Sequence, residues 1–298
     1  MRRAKAYCPN PKCWFHKHPN TGFYVKKGYY TTQWNHQRVP RYQCRGCKKK
    51  FSSHTFYRTY RQKKPYLNEP IFHLYCSATT QRRIAKLLKI NFKTVVRKFL
   101  FLAKNAESEH LKKLAQRSFD VSSVQFDEML SFEHTRLKPL SIALAVQKKG
   151  HRVIDIQVSQ SHYQGRLSAI ALNKYGPRVD KSHEARKKVL ETLHSQVQKT
   201  CYIITDAKPQ YKSEVFQYVP AAQLQQINNR GGRLKRLLQS RRQNINDPMF
   251  ELNLVAAKIR HNLSRMARKV WVTTKSAERL QKHLMLFMAY HNEYSIAV

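Results

Sequence analysis

Acidic residues are scarce in this chain. Only 17 Asp and Glu stand against 57 Lys and Arg in 298 residues, a formal charge of +40. A chain so short of negative charge fits a polyanion, and nucleic acid is the foremost polyanion available to a protein of this size. Long apolar runs are also missing. No stretch of 18 apolar residues exists, which excludes a membrane-spanning helix. The start, Met1-Arg2-Arg3-Ala4-Lys5, lacks the apolar stretch of a secretory signal, so the expected compartment is the cytoplasm, in association with the nucleoid. There is no concentrated basic amphipathic helix and no lipidation signal, which argues against a membrane surface. No RNA-recognition module and no heptad seam stand out. What is present is an apolar content of 41 %, enough for packed cores in two or three domains.

Six cysteines need an explanation in a reducing compartment, where structural disulfides are rare. Four are clustered: Cys8 and Cys13 in a C-x4-C pair, Cys44 and Cys47 in a C-x2-C pair. Two such pairs predict a tetrahedral site for one structural zinc ion. The aromatics between them (Phe23, Tyr24, Tyr29, Tyr30, Trp34, Tyr42) fit two knuckles on short hairpins, and core packing is their expected use. Four thiolates complete the shell, leaving His16 and His18 at the surface. Cys76 and Cys201 lie within apolar patterns and read as core residues.

The expected organisation is multidomain α/β. Residues 1–64 form a zinc ribbon, 65–105 a helical helix-turn-helix DNA-binding domain, 106–120 a helical connector, and 121–298 a mixed α/β domain. In the second segment Thr79 or Thr80 caps a helix bearing Ile84, Leu87 and Leu88, and Lys89-Ile90-Asn91 forms the turn. The following helix turns Val95, Val96 and Phe99 inward. It turns Lys93, Thr94, Arg97 and Lys98 outward, as a helix reading a major groove requires. Beyond 121 the texture changes to strands at Val121–Phe132, Leu140–Gln147 and His151–Val158. A helix near Ser182–Gln198, a strand at Tyr202–Thr205 and a helix at Pro209–Tyr218 follow. Residues 229–243 read as a basic loop. Pro248 opens a helix reaching about Lys269, and a last helix runs from about Ser276 to Tyr290.

Asp127 and Asp206 each close an apolar, strand-like run, Val124-Gln125-Phe126 and Cys201-Tyr202-Ile203-Ile204-Thr205. Carboxylates held at the edge of a sheet can share a divalent cation. Beside a polyanion, their natural chemistry is metal-assisted phosphoryl transfer. Glu128, next along the strand, is expected on the opposite face and outside that site.

These residues, taken in order, resemble insertion-sequence transposases of the insertion-sequence-one type. The resemblance rests on the cysteine pairs, Arg41 to Phe51, the Thr79–Phe99 pattern, Phe126-Asp127-Glu128-Met129, Thr205 to Tyr211, and Asn253 to Lys275. It implies a ribonuclease-H-like catalytic domain with a triad of acids holding two Mg2+ or Mn2+ ions. Asp127 takes the first position and Asp206 the second. The third falls on Asn253, with Glu251 as the alternative. Two residues along a helix is about 200° of rotation, so only one of them can face the site. Arg260, Arg265, Arg268 and Lys269 lie on or near that helix and are expected to clamp DNA phosphates. The implied activity is binding of an element's terminal repeats, then two-metal strand cleavage and transfer to target DNA by a homo-oligomer on paired ends. The rivals are a DNA-binding regulator or decayed transposase without catalysis, and a nuclease that does not join strands.

Overall fold

A computed structural model describes residues 7–163, 165–227, 247–267 and 272–294. The chain divides into two compact units, Met1–Asn68 and Glu69–Val298.

The smaller unit is built on three antiparallel strands in the order β1 (Tyr24–Thr31), β2 (Arg38–Cys44) and β3 (Lys50–Ser52). A single-turn helix, α1 (Trp14–Lys17), precedes them. Its core is Phe23 and Phe51 with Cys8, Cys13 and Cys44, and Tyr24 and Tyr42 pack against it. So small a core does not hold a unit of this size by apolar burial alone, and a further staple is needed. The Cys44/Cys47 knuckle occupies the β2–β3 turn. The Cys8/Cys13 knuckle is not on a hairpin: Cys13 is the residue before α1. Gly46 lets the two knuckles approach closely, since a Cβ there would lie 3.1 Å from the Phe15 ring, which would have to give by a few tenths of an ångström.

The larger unit opens with α2 (Asn68–Tyr75), α3 (Gln81–Leu87) and α4 (Phe92–Ala115). Capping explains the breaks between them. Thr80 Oγ1 accepts from the Arg83 N–H at 3.3 Å, and Asn91 Oδ1 accepts from the Lys93 N–H at 2.8 Å. Lys89 takes the left-handed conformation that ends α3 (φ 50°). Most of the stretch 106–120 simply continues α4. Two side-chain placements differ from expectation. Lys98 is buried, because it lies three residues past Val95 and shares the stripe of Val95, Phe99, Ala103 and Ala106. It is therefore not a groove contact, whereas Lys93 and Arg97 are exposed and Thr94 half-buried. Leu87, one of the three apolar residues at helical spacing in α3, is exposed, whereas Ile84 is buried.

A five-stranded mixed sheet follows: β4 (Ser123–Phe132), β5 (Pro139–Gln147), β6 (Val153–Gln160), β7 (Cys201–Asp206) and β8 (Ala222–Ile227), in the order β6-β5-β4-β7-β8. The first three pair antiparallel, while β7 is parallel to β4 and β8 parallel to β7. Helices α5 (Ser168–Tyr175), α6 (Ser182–Gln196), α7 (Pro209–Tyr218), α8 (Phe250–Asn262) and α9 (Ala277–Tyr294) complete the unit. Alternation along the strands creates two cores. On one face Met129, Leu140, Ile142 and Leu144 lie under Val255 and Ile259 of α8 and Leu284 and Phe287 of α9. On the other, Val124, Phe126, Ala143 and Ile203 lie under Val189 and Leu193 of α6 and Tyr211 and Val215 of α7. Cys76 and Cys201 are buried, as expected.

Helix α9 also packs on α4, and His283 Nε2 donates to the Tyr75 carbonyl at 2.9 Å. The Ala78 N–H donates to the Asn262 carbonyl at 2.7 Å. The helices that precede the sheet are thus built into the same unit as the sheet. Helix α8 ends well before Lys269, because Leu263 turns to extended backbone (φ −110°, ψ 109°). The basic loop at 229–243, and Arg268 and Lys269, lie outside the described residues. Among the described residues no helix is long and apolar enough to cross a membrane.

Candidate functional site

Strands β4 and β7 run parallel with Ser123 opposite Tyr202, Val124 opposite Ile203 and Gln125 opposite Ile204. Continued two residues, the same register sets Asp127, midway along β4, beside Asp206, where β7 ends. Both acids therefore lie on one face, that of Met129 and Ile204, which is also the face of α8. Asp206 is poorly solvated, and burial, followed by the charge of Asp127, holds its carboxyl above the usual carboxylate range. A pair of carboxylates in mutual repulsion is a site that gains from a cation.

One cation is already there. Lys208 Nζ lies 3.3 Å from Asp127 Oδ1 and 3.6 Å from Glu128 Oε2, and donates to the Tyr211 hydroxyl at 2.9 Å. That buried hydroxyl lies 3.0 Å from Asp127 Oδ1 and 3.2 Å from Glu128 Oε2, donating to one at a time. Burial and the surrounding carboxylates push its pKa far above an ordinary tyrosine's. Pro209 at the first turn of α7 directs Lys208 and Tyr211 over the strand ends, and Asp206 Oδ1 accepts from the Lys208 N–H at 3.3 Å.

Glu128 does point to the other face, yet it is not remote from the acids, because Tyr211 bridges the strand end. Behind it lies an ion network that the sequence reading did not identify. Arg186 donates through Nε and Nη2 to Glu214 at 2.7 Å each, and through Nη1 to both Glu128 oxygens at 3.3 Å. Ser141 Oγ donates to Glu128, and His183 Nδ1 lies 2.9 Å from Glu214 Oε1. Burial opposes the charge on Glu214, but the Arg186 and His183 contacts outweigh it and hold its carboxyl low. An available signal was an arginine within the apolar stripe Ala185, Val189, Leu190, Leu193.

Of the two alternatives for the third position, Asn253 and Glu251, it is Glu251 that hydrogen-bonds to the sheet. Gln125, fully buried on the face of Asp127, donates through Nε2 to Glu251 and to the Pro248 carbonyl (2.8 Å), and accepts from the Leu252 N–H at 2.7 Å. Asn253 Nδ2 donates instead to Asp247 at 3.0 Å. No hydrogen bond joins Glu251 or Asn253 to Asp127 or Asp206. Arg260 and Arg265 are half-buried, and burial lowers the pKa of Arg265, which lies near Tyr75 and Arg279.

The cysteines form a second centre. The Sγ atoms of Cys8 and Cys47 are 3.4 Å apart, those of Cys13 and Cys44 3.7 Å, and all four lie within 4.8 Å of one another. All are free of disulfides. Tetrahedral Zn–S bonds of about 2.3 Å set sulfurs about 3.8 Å apart, so the donor set fits a structural zinc ion. Burial pushes the Cys8 thiol up to about 12. At Cys47 burial is outweighed by the Lys49 backbone, Asn10 and the neighbouring thiols, which bring it to about 6. His16 Nδ1 donates to the Cys8 carbonyl at 2.7 Å, supporting the cluster from outside. Among the described residues, this is the one group of three or more Cys, His, Asp or Glu side chains close enough to hold a metal. The chain therefore carries a four-cysteine cluster near its N-terminus and an α/β unit with a mixed sheet.

No protein-family model matches this sequence, and comparison with curated proteins finds no significant match.

Proposed function

We propose that this chain is a DNA transposase of the insertion-sequence type, with a ribonuclease-H-like catalytic body. The observation that carries the reading is the register of Asp127 and Asp206: neighbours on adjacent parallel strands, on one face, in a chain of charge +40. The five-stranded mixed sheet with helices on both faces supports the ribonuclease-H-like assignment. Asp127 and Asp206 would hold Mg2+ or Mn2+, their oxygen donors and shared charge being suited to a hard cation. When bound, such a cation supplies positive charge for developing oxyanions and acidifies an attacking water or 3′-hydroxyl.

The remaining work belongs to the chain. Tyr211 and Lys208 orient Asp127. Lys208, part-exposed just before α7, must withdraw to admit a divalent cation and is then free to meet a phosphate. Gln125 fixes the first turn of α8 against the sheet, and we assign the third position to Glu251, which shares that glutamine, over Asn253, which faces Asp247. Lys93, Thr94 and Arg97 at the start of α4 are the groove contacts, and Lys98 is not. The cytoplasm and the nucleoid are where such a protein acts, as a homo-oligomer pairing two element ends.

A second reading, a DNA-binding protein without catalysis, is favoured by the Lys208 contact with Asp127 and by the hydrogen bonds of Glu251 and Asn253, which go to Gln125 and Asp247 and not to the pair. A strand-transfer assay separates the two. Purified protein is mixed with a labelled element end and supercoiled target, in Mg2+ or Mn2+, beside Asp206→Ala, Glu251→Gln and Asn253→Ala. Joined product that Asp206→Ala and Glu251→Gln abolish and Asn253→Ala retains supports the assignment in full. Cleavage without joining identifies a nuclease. Salt-sensitive binding without chemistry in either metal identifies the non-catalytic protein.

A further inference from the structure

The N-terminal unit carries another feature of a binding site. Residues 1–68 contain no Asp or Glu, and the first acid in the chain is Glu69. Within this unit a cleft of about 1130 Å³ opens between the β1–β2 turn and the segment from His54 to Tyr66. Its walls carry Trp34, Tyr57, Tyr60 and Tyr66, with Arg61 and Lys63 among them. The expectation that Trp34 packs in the core is overturned: it is 42 % exposed, and Tyr57, Tyr60 and Tyr66 are 57 %, 44 % and 51 % exposed. The core aromatics of the same unit, Phe23 and Phe51, are 1 % and 6 % exposed.

The exposed rings are also held in place. Trp34 and Tyr66 stack with centroids 5.9 Å apart and planes 24° from parallel. The Arg61 guanidinium lies over the Tyr60 ring at 5.3 Å. Trp34 stands on a braced turn. The Thr32 N–H donates to the Gln37 carbonyl at 3.0 Å, the His36 N–H to the Thr32 carbonyl at 3.1 Å, and the Gln37 N–H to Thr32 Oγ1 at 3.0 Å. A ring presented on a rigid mount loses little freedom when a ligand arrives.

Phosphate binding alone needs lysine and arginine, and a duplex keeps its bases stacked on each other, offering only groove edges and phosphates. Aromatic faces in a basic, acid-free cleft match a different ligand, bases with a free π-face. We propose that this cleft binds single-stranded DNA, with unpaired bases stacking on Trp34 and Tyr66 and with Arg61 and Lys63 meeting the phosphates. This goes beyond the phosphoryl-transfer reading and does not rest on it: Asp206→Ala removes catalysis under that reading and leaves this binding unchanged.

The test uses the full chain with bound zinc. Fluorescence anisotropy compares a short labelled oligothymidine with a duplex of matched length, at a salt concentration that suppresses phosphate-only binding. The pair Trp34→Ala/Tyr66→Ala is expected to weaken oligothymidine binding roughly tenfold or more and duplex binding less than about twofold. Equal losses on both ligands, or no loss on oligothymidine, overturn the proposal. Tighter binding of oligouridine than oligothymidine overturns the assignment to DNA. If the alanine pair loses its zinc, the Trp34→Phe/Tyr66→Phe and Trp34→Leu/Tyr66→Leu pairs decide. The first keeps the ring faces and is expected to bind as the natural chain does. The second keeps only apolar bulk and is expected to lose about tenfold; equal affinities for the two pairs overturn the proposal.

Discussion

Replacing Arg186 by methionine keeps an unbranched, apolar side chain of similar length and removes only the charged fork. Arg186 is 9 % exposed at its side chain, and the carboxylates it serves, Glu128 and Glu214, are 9 % and 8 % exposed. The substitution leaves two buried carboxylates without their principal cation. Breaking a buried pair from one side costs about 3–5 kcal/mol, against about 5–15 kcal/mol for the whole stability of an ordinary domain. Urea denaturation of the larger unit, followed by circular dichroism, measures the difference. Its pH dependence carries the stricter test. In the natural chain Glu214 is held below its ordinary value, so its stabilisation is fully present above the unfolded carboxylate pKa and is lost as pH falls through the lower folded one. In the variant the orphaned carboxylates are pushed upward, so the penalty is present at neutral pH and relieved as they protonate. The gap between the two proteins should therefore be widest near pH 7 and narrow toward about pH 4. Adding Glu128→Gln and Glu214→Gln to the variant should recover much of the loss. A gap under about 1 kcal/mol at pH 7, or one that does not change with pH, would refute the ion-network argument and leave only lost packing.

Four further outcomes are expected. Cys44→Ser should release zinc, measured with a chromophoric chelator, and unfold residues 1–68 with little effect on the larger unit, because the ribbon core is too small to hold alone. Gln125→Leu removes two hydrogen bonds to α8 and one to Pro248 just before it, and should lower stability by about 2–4 kcal/mol in urea titration, without abolishing DNA binding. Lys98→Met should leave the salt dependence of duplex binding unchanged, whereas Lys93→Ala or Arg97→Ala should each lower the slope of log K against log salt by about one. Asp206→Asn should raise the melting temperature in a chelating buffer at pH 7: burial and Asp127 hold the acid above its ordinary value, so its charge destabilises the fold at neutral pH, and the neutral isostere relieves that.

The parts of the fold that alternate cleanly were legible. Strand β4 read directly because Val124, Phe126 and Met129 stand among polar residues in a strand-like run, β5 because it is a nearly continuous apolar run, and α7 read to the residue because Pro209 marks its first turn. Strand β8 did not read, because Ala-Gln-Leu-Gln-Gln-Ile is an edge segment with weak strand propensity whose pairing is set by β7. Helix α5 was missed because Ile170 and Leu172 are exposed and leave no apolar stripe. Asp127 and Asp206 were visible because each ends an apolar run. The residues that hold them were not. Gln125 looks like the polar member of an alternating strand, yet it is buried and triply bonded. Lys98 looks like the outward residue of a basic helix, yet its angular position puts it among Val95 and Phe99. For Gln125 the deciding partners lie far away in sequence, so local pattern carried no trace of them; for Lys98 the helical period itself held the signal, and its charge masked it.

Helix α9 touches β6 with one side and α4 with the other, and its His283 reaches back to α2. That seating limits how the molecule can be cut. A fragment stopping at the end of α4 would bare the stripe of Val95, Phe99, Ala103 and Ala106, and a fragment starting at β4 would bare the side of α9 that rests on it. Deletion series meant to separate groove reading from sheet chemistry are therefore expected to yield insoluble pieces, except for a break near residue 68. Point substitution, rather than dissection, is the way to assign roles within residues 69–298.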